Sequence, residues 1–472
     1  MNPITFALYF GNRGFFPETL IDSARSELTR AVKAQGYGVL LPNAAITRYG
    51  AVETAQEGRA YAKFLAENRG SYQGVILCLP NFGDENGAIA ALQDCGVPIW
   101  ILAYPDEAGK MDFAHRRDAY CGKLSIMDVF CQYGLPFTAW APHTLHPDTP
   151  QFTAQLKDFA AVCRVVLGMR RLTVGAVGAR TTAFKTVRFD ELALQKKGIT
   201  VEALDLSEVL YRVSKMDSGA QEVRAKAAQL QAFADFGRVP PEKLETISKV
   251  GVALDELAAE YRMDCLSLRC WNELEQMLGV APCVLLGLLN ETGMAAACEL
   301  DVTNAVAMHA LKLASGESPA CLDWNNNYGD DPNKCILFHC GPVARSLMAG
   351  SGCVTDHKMF AKSYGAGCGW GSNEGRIAAF PMTYASAKTE DGRVVFYLGE
   401  GEFTTDAIEE GFFGCGGVAR IPDLQSKLLT IGKRGFRHHV SVTRGTVATA
   451  LREAFTTYLT YDLIDFDPPR TY

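Results

Sequence analysis

Hydrophobic and polar positions alternate in blocks along the first hundred residues of the chain. Short apolar runs of strand length occupy residues 4–10, 38–41, 74–79 and 97–103. Between the first two runs, residues 19–35 carry apolar side chains at about every third or fourth position, which is typical of an amphipathic helix. Strands that alternate with helices predict βαβ units and a parallel sheet.

The same alternation begins again after a proline-rich stretch at residues 142–150, which we interpret as a link between domains. A helix is predicted at 151–167. Strands are then predicted at 172–178, 199–206 and 264–269, with long charged helices near 219–236 and 241–262. This pattern predicts a second α/β domain with a parallel sheet of its own.

The pattern changes from about residue 351, where glycines become dense and the apolar runs resemble β-strands. Such runs occupy residues 393–398, 428–431 and 439–442, and a closing helix is predicted at 447–458. The chain has 472 residues, which is more than one hydrophobic core usually serves. We therefore predict two Rossmann-like α/β domains, at 1–165 and 166–350. A smaller β-rich, barrel-like domain follows at 351–472.

Composition and charge narrow the class of protein. Apolar residues make up 48% of the chain and charged residues 21%, and the net charge is −7 with no basic block. This balance gives no electrostatic basis for binding nucleic acid or an anionic membrane surface. No apolar run reaches the roughly 18 residues of a membrane helix, and residues 1–10 lack the features of a signal peptide. None of the fifteen cysteines forms a C-x-x-C pair, so we expect a reducing, cytoplasmic setting.

Several common catalytic motifs are missing from the sequence. It contains no G-x-x-x-x-G-K-[ST] phosphate loop and no good G-x-G-x-x-G segment after a predicted strand. A G-x-S-x-G nucleophile elbow is also lacking. These observations disfavour nucleotide cofactors, serine hydrolase chemistry and, more weakly, phosphorylated substrates.

Glu299, Asp323 and His439 are the leading candidates for chemistry. Two carboxylates and one imidazole suit a hard or borderline divalent cation and leave positions open for substrate oxygens. The carboxylates are 24 residues apart, too far for one helix face, so they would have to converge from separate elements. The alternative is that they are helix-cap or turn residues and that the histidine is an ordinary core residue. Spacing alone leaves both interpretations open.

Three segments around these residues resemble a known family. They are Cys298-Glu-Leu-Asp301, Leu322-Asp-Trp-Asn325 and Arg437-His-His439. They are similar to the metal-binding motifs of the L-fucose/L-arabinose isomerase superfamily, the metal-dependent aldose–ketose isomerases. The aspartate at 323 resembles fucose isomerases, since arabinose isomerases carry glutamate there. The predicted three-domain layout also matches, so the resemblance covers nearly the whole chain.

The resemblance implies a ligand set and a reaction. Glu299, Asp323 and His439 would hold a divalent metal, most readily Mn²⁺, and the two carboxylates would act as acid and base. His439 is preferred to His438 because the second histidine of the pair aligns better with the family. His339 resembles a further histidine ligand of arabinose isomerases that fucose isomerases lack. It is therefore a fourth ligand, a substrate contact or a structural residue.

Four residues are predicted to contact substrate: Arg13, Trp271, Trp370 and His339. Arg13 lies in a loop at 11–17, and fucose isomerases carry an arginine in a similar loop that contacts sugar in a neighbouring subunit's site. The alternative is an arginine in a surface ion pair. Trp271 and Trp370 could stack on a sugar face, although a core position is the usual place for tryptophan.

Taken together, the sequence and the resemblance predict an intramolecular oxidoreductase that interconverts an aldose and a ketose through a metal-stabilised enediol. The substrate would be a monosaccharide, and the family implies a homo-oligomer, either a trimer or a hexamer. One alternative is a metal-dependent epimerase or another enzyme acting on a sugar derivative. The other is a non-catalytic carbohydrate-binding protein. The sequence does not decide which sugar is used or which carboxylate is the base.

Overall fold

The computed structural model describes residues 4–181, 183–467 and 472. They form two compact units. The N-terminal unit runs to Leu167 and includes Thr449–Thr460, and the second unit comprises Gly168–Ala448 with residues 461–467.

The N-terminal unit is built on a four-stranded parallel sheet with strand order β2-β1-β3-β4. Its strands are β1 (Thr5–Phe10), β2 (Gly38–Leu40), β3 (Gly74–Leu79) and β4 (Ile99–Ala103). Its helices are α1 (Thr19–Ala34), α2 (Ala55–Glu67), α3 (Glu85–Leu92), α4 (Ala119–Gln132) and α5 (Pro150–Met169), whose last residues enter the second unit.

Burial explains why these segments take up these elements. Every residue of β3 is buried, as expected for a central parallel strand covered on both faces. Helix α1 buries Ile21, Ala24, Leu28 and Val32, which share one face at helical spacing. The predicted first α/β domain with a parallel sheet is thus confirmed.

The second unit begins with another parallel sheet, in the order β6-β5-β7-β8. Its strands are β5 (Leu172–Val177), β6 (Ile199–Leu204), β7 (Cys265–Leu268) and β8 (Ala295–Ala297). The helices around it are α6 (Glu191–Gln195), α7 (Leu206–Lys215), α8 (Gln221–Phe233), α9 (Pro241–Glu260), α10 (Glu273–Leu278), α11 (Cys283–Thr292) and α12 (Val302–Ser315). This sheet confirms the second predicted α/β fold. Among all described residues, no helix combines the length and apolar character needed to cross a bilayer.

A closed β-barrel follows in the same unit. Its strands are β9 (Pro319–Asn327), β10 (Lys334–His339), β13 (Phe380–Glu390), β14 (Arg393–Phe403), β15 (Cys415–Arg420) and β16 (His439–Arg444). They run in the order β15-β10-β9-β16-β13-β14, and β14 pairs with β15 to close the ring. Strands β11 (Cys353–Asp356), β12 (Trp370–Arg376) and β17 (Asp462–Asp465) extend the sheet. Helices α13 (Lys358–Tyr364) and α14 (Leu424–Lys433) belong to the same unit, whereas α15 (Ala448–Glu453) lies in the N-terminal unit from Thr449 onwards. The predicted barrel-like third fold is confirmed.

The structure corrects two details of the sequence-based interpretation. Strands β9 and β10 belong to the barrel sheet, so Asp323 lies on a barrel strand, whereas we expected both carboxylates in the central domain at 166–350. Residues 428–431, predicted as a strand, lie in α14. That helix buries Leu424 and Ile431, two turns apart, so the short apolar run belongs to a helical stripe.

Helix α12 joins the two sheets of the second unit. It is buried along most of its length and packs against β7 and β8 of the central sheet and against β13 and β16 of the barrel. The side-chain oxygen of Asn304 accepts hydrogen bonds from Ser386 and Ser441, each at 3.0 Å. These bonds tie the first turn of α12 to two barrel strands.

We expect the barrel interior to contribute to the stability of the second unit more than the exposed face of α14 does. Leu322 is fully buried among the barrel's apolar residues, and Leu322→Ala should lower the free energy of unfolding by about 2–5 kcal/mol through lost transfer energy and a residual cavity. Leu429→Ala is the matched control, because Leu429 is 62% exposed on α14 and its removal should cost no more than about 0.5 kcal/mol. Urea denaturation followed by circular dichroism measures both, and equal losses would contradict this prediction.

Candidate active site

The strand order of the barrel brings together residues far apart in sequence. Strand β9 lies between β10 and β16, and the register places Asp323 directly opposite His439. Side chains at directly opposed positions of antiparallel strands lie on one face of the sheet. His339 is the last residue of β10, next to Phe338, which is also paired with Asp323. Three of the predicted site residues therefore meet at one end of the barrel.

Glu299 reaches the same place from the central sheet. It follows β8, and both Glu299 and Leu300 adopt left-handed backbone conformations, with φ of 59° and 58°. Non-glycine residues rarely take this conformation, which persists only where surrounding contacts enforce it. Here the Leu300 amide donates to the Leu268 carbonyl and the Asp301 amide donates to the Cys298 carbonyl. This turn ends β8, presents Glu299 and leads directly into α12.

His439 is the centre of the resulting cluster. Its Nε2 lies 2.8 Å from Glu299 Oε2 and 3.5 Å from Asp323 Oδ1. Donor atoms of Glu299, His438 and His439 lie within 4.8 Å of one another, as do those of Asp323, His339 and His439. The structure thus brings together all four residues predicted as ligands, and His439 belongs to both groups.

Asp301 holds His439 from the other side. Its Oδ2 lies 2.8 Å from His439 Nδ1, and its Oδ1 forms an ion pair with Arg437. The same carboxylate caps α12 by accepting from the Asn304 amide. Burial alone would raise the pKa of Asp301, but Arg437 and His439 hold it well below its usual range. Asp301 therefore stays ionised and fixes the orientation of the imidazole.

The two candidate catalytic carboxyls have opposite pKa shifts. Burial raises the pKa of Asp323 above its ordinary value. Burial also opposes ionisation of Glu299, but the hydrogen bond and charge of His439 hold the pKa of Glu299 below its ordinary value. Burial would lower the pKa of His439, yet Asp301 and Glu299 raise it to about 10. Glu299 is thus the more readily ionised carboxyl.

One buried polar atom is compatible with a cation at this cluster. The Oδ1 of Asp323 completes no hydrogen bond with described residues and lies 3.5 Å from His439 Nε2. Buried polar groups in native proteins nearly always have a partner, so each such group needs an explanation. Carboxylate oxygens and imidazole nitrogens together suit a divalent metal. The donor set and its unmet bonding capacity are therefore compatible with a metal ion.

A cavity of about 760 Å³ opens onto this cluster. Glu299, Asp323, His339 and His438 line its polar side. Aromatic residues line much of the rest, including Phe184, Trp271, Phe338, Phe360, Tyr364 and Phe412. The Phe184 ring lies 5.3 Å from that of Trp271 and 5.4 Å from that of His438. This volume is in the range of small-molecule sites and accommodates a monosaccharide.

Two of the four predicted substrate contacts line the cavity and two do not. Trp271 and His339 line the cavity, whereas Trp370 is not among its lining residues and packs, half-buried, against the apolar core around the central sheet. Arg13 lies in the N-terminal unit, where it donates to the Gly83 carbonyl and forms an ion pair with Glu85. Its contact with substrate stays a prediction.

Sequence reasoning missed the supporting residues Asp301 and Arg437. Both lie within the quoted segments, two residues from Glu299 and His439 respectively. A charged residue beside a candidate ligand in an otherwise apolar segment was the available signal. Phe184 was also missed, and nothing in its local sequence distinguishes it.

Comparison with known proteins identifies the family. Residues 7–170 match the model for the fucose/sulfoquinovose isomerase N-terminal domain, and residues 337–467 match that for the L-fucose isomerase C-terminal domain. Proteins named sulfoquinovose isomerase from Priestia aryabhattai and Priestia megaterium are 24% identical to this chain over 365 residues, covering 76% of it and 77% of each relative. One from Alkalicoccus urumqiensis is 22% identical over 381 residues, covering 79% and 81%. The chain belongs to the L-fucose isomerase-like superfamily.

This membership makes the protein an aldose–ketose sugar isomerase and confirms the predicted family. It also decides against the non-catalytic binding protein considered from the sequence. Among solved structures, a periplasmic solute-binding protein from Actinobacillus succinogenes 130z, with bound D-allose, covers 67% of this chain and 92% of its own. Its identity of 12% and TM-score of 0.17 are too low to support an argument.

A buried carboxyl of the isomerase, that of Glu275, lies four residues beyond Trp271 in the chain. Glu275 on α10 is 1% exposed, and neither of its carboxyl oxygens has a hydrogen-bond partner among the described residues. Burial raises its pKa from 4.5 to about 8. The folded protein therefore keeps this proton up to about pH 8, whereas the unfolded chain releases it near pH 4.5.

We expect the stability of the isomerase to fall as pH rises from about 4.5 to about 8, because the folded state binds more protons than the unfolded state in that window. Glu275→Gln should remove this part of the slope and stabilise the protein at pH 8. Glu242→Gln is the control, because Glu242 is an exposed carboxylate in the first turn of α9 in the same unit. Unfolding midpoints measured across the window test this, and parallel profiles for wild type and Glu275→Gln would contradict it.

Proposed function

We propose that this isomerase moves hydrogen between C1 and C2 of a monosaccharide through an enediol, using a divalent metal held by Glu299, Asp323 and His439. One observation carries the proposal: Asp301 fixes one nitrogen of His439, while the other nitrogen faces both carboxylates. The donor set favours Mn²⁺, since carboxylates suit hard cations and Mn²⁺ also accepts imidazole.

The reaction must overcome the weak acidity of a C–H bond beside a carbonyl. When bound, the metal supplies a Lewis acid that polarises this carbonyl and favours charge development on oxygen. The protein's own task is to remove the proton from one carbon, return it to the next and shuttle the hydroxyl proton. Each positioned proton transfer typically contributes roughly 10²–10⁴-fold to the rate.

The opposite pKa shifts support different acid–base roles for the two carboxyls. Glu299 has a lowered pKa and is the better candidate for the base that takes the proton from carbon. Asp323 has a raised pKa and is the better candidate to hold and deliver a proton to oxygen. Both face the same cavity, so one substrate can contact both groups.

The substrate we propose is an aldose small enough to fit the aromatic-walled cavity. L-fucose, D-arabinose and L-arabinose are the family's familiar sugars, and the relatives named above suggest sulfoquinovose as a further candidate. A sulfonate is a permanent anion that arginine or lysine would normally bind. Neither residue type occurs among the described residues that line this cavity. Comparing a sulfonated sugar with uncharged ones is therefore the informative assay.

We also propose, from the family, that the isomerase is a homo-oligomer, either a trimer or a hexamer. Arg13 would then contact sugar bound by a neighbouring copy. Light scattering of the purified protein gives the oligomeric state. Arg13→Ala should raise KM for the sugar if that contact exists.

Removal of either carboxylate should abolish turnover. Glu299→Gln and Asp323→Asn keep the shape of the side chain but remove its charge and its acid–base function, so we expect kcat to fall by at least about 10²-fold. Glu409→Gln is the control, because Glu409 lines the cavity but belongs to neither group of close donor atoms. Full activity in either site variant, measured with a folded protein, would refute the proposal.

Isomerisation should depend on a bound cation. Assays of L-fucose, D-arabinose, L-arabinose and sulfoquinovose, with Mn²⁺ and after chelation, should give ketose only with the metal present. Restoration by Mn²⁺ but not by Ca²⁺ would support the proposed donor set. Turnover that survives complete removal of metal would exclude the proposed mechanism, and an epimer in place of a ketose would identify an epimerase.

A further inference from the structure

We infer that hydrogen bonds fix a proton on Nδ1 of His439 but on Nε2 of His339, so that His439 binds the metal whereas His339 donates a hydrogen bond to the substrate. The inference rests on the proposed function for the presence of a metal and a sugar. Both histidines are close enough to Asp323 to bind a shared metal. The inference extends the proposed function by assigning one of them as a ligand and the other as a hydrogen-bond donor.

The tautomer of His439 follows from Asp301. The Asp301 side chain accepts hydrogen bonds from Asn304 and pairs with Arg437, so it is an acceptor for His439 Nδ1, which lies 2.8 Å from its Oδ2 and carries the proton between them. Asp301 is fully buried and also binds Arg437 and Asn304, which keep the carboxylate in place. Because Asp301 holds the proton on Nδ1, Nε2 is the nitrogen that can give up its proton to a cation, and it faces Glu299 and Asp323. This is the arrangement of a metal-binding histidine with a supporting carboxylate.

The tautomer of His339 is the reverse. The backbone amide of Cys340 donates to His339 Nδ1 at 2.9 Å. An amide N–H can only donate, so Nδ1 is the unprotonated nitrogen and the proton of the neutral ring lies on Nε2. To bind a cation through Nε2, the neutral ring would have to carry its proton on Nδ1, where it would face the N–H of Cys340.

The protonated nitrogen of His339 lies where a donor is useful. His339 lines the cavity, and its buried Nε2 completes no hydrogen bond with described residues. A donor atom of Asp323 lies within 4.8 Å of one from His339, and the rings of His339 and His439 are 5.8 Å apart between centroids. The Nε2–H is therefore available to a substrate oxygen beside the cluster. A fixed donor at an oxygen that gains charge stabilises the transition state.

Mn²⁺ binding to the metal-free protein separates the two roles. Calorimetric titration should give wild-type affinity for His339→Leu and His339→Gln, because neither removes a ligand. His439→Gln should bind far more weakly. Asp301→Asn should lose about 10–100-fold in affinity, because His439 loses the partner that fixes its tautomer.

Kinetics with the sugar found in the substrate panel then test the donor role. His339→Leu should lower kcat by about 10²–10³-fold with little change in KM, the effect expected on removing one donor to a charged oxygen. His339→Gln should recover much of that loss, since its amide places an N–H near the position of Nε2. A merely structural role for His339 predicts no such rescue.

The failures of the two proposals are distinguishable. If both His339 variants lose Mn²⁺ affinity while circular dichroism shows them folded, His339 is a ligand and this inference is wrong, although the isomerase proposal stands. If affinities follow the expected order but no sugar is interconverted, the ligand assignment stands and the proposed function fails. The decision does not depend on the folding of His439→Gln, because the His339 variants are compared with wild type.

Discussion

The buried carboxylate of Asp301 is the interaction on which the fold of the second unit and its candidate site both depend. It caps helix α12, pairs with Arg437 and holds the imidazole of His439. A buried charge is costly unless it is paired and fully hydrogen-bonded, so these partners are energetically coupled. Because α12 packs against both sheets, the same carboxylate fixes the ends of the central sheet and the barrel relative to the candidate metal ligands. Asp301 therefore supports the fold by capping α12 and orients His439 in the site, and a substitution of Asp301 would affect both.

This arrangement explains how ordinary side chains become a candidate catalytic set. Glu299 arrives on a left-handed turn after a parallel strand, while Asp323 and His439 arrive on paired barrel strands. Burial and neighbouring charge then move the pKa values of the two carboxyls in opposite directions. The cavity in front of them is lined by aromatic residues next to polar ones. Its apolar lining strengthens electrostatic interactions, which favours a reaction in which negative charge develops on an oxygen.

Particular residues show where sequence-based reasoning succeeded and where it stopped. Continuous apolar runs such as Gly74–Leu79 predicted buried parallel strands because their period and length allowed little else. The run at 428–431 failed because four apolar residues fit a strand or a turn of helix equally well, and packing decided for α14. The sequence offered the same two interpretations, sugar contact or core, for Trp271 and Trp370. Both pack against the core around the central sheet, and only the fold shows that Trp271 also lines the cavity.

The sequence by itself determined the two parallel-sheet folds, the barrel-like third fold, the family, and the identity of Glu299, Asp323 and His439 as candidate ligands. The folds follow from local periodicity, whereas the family and the candidate ligands follow from the resemblance that short motifs carry; both are properties of neighbouring residues. Tertiary structure decided what depends on long-range pairing. It placed Asp323 opposite His439 across strands 116 residues apart in sequence, and it revealed Asp301 and Arg437 as their support. It also gave the two histidines different hydrogen-bond partners, because a tautomer is set by the atom that contacts the ring and not by the residues beside it in the chain.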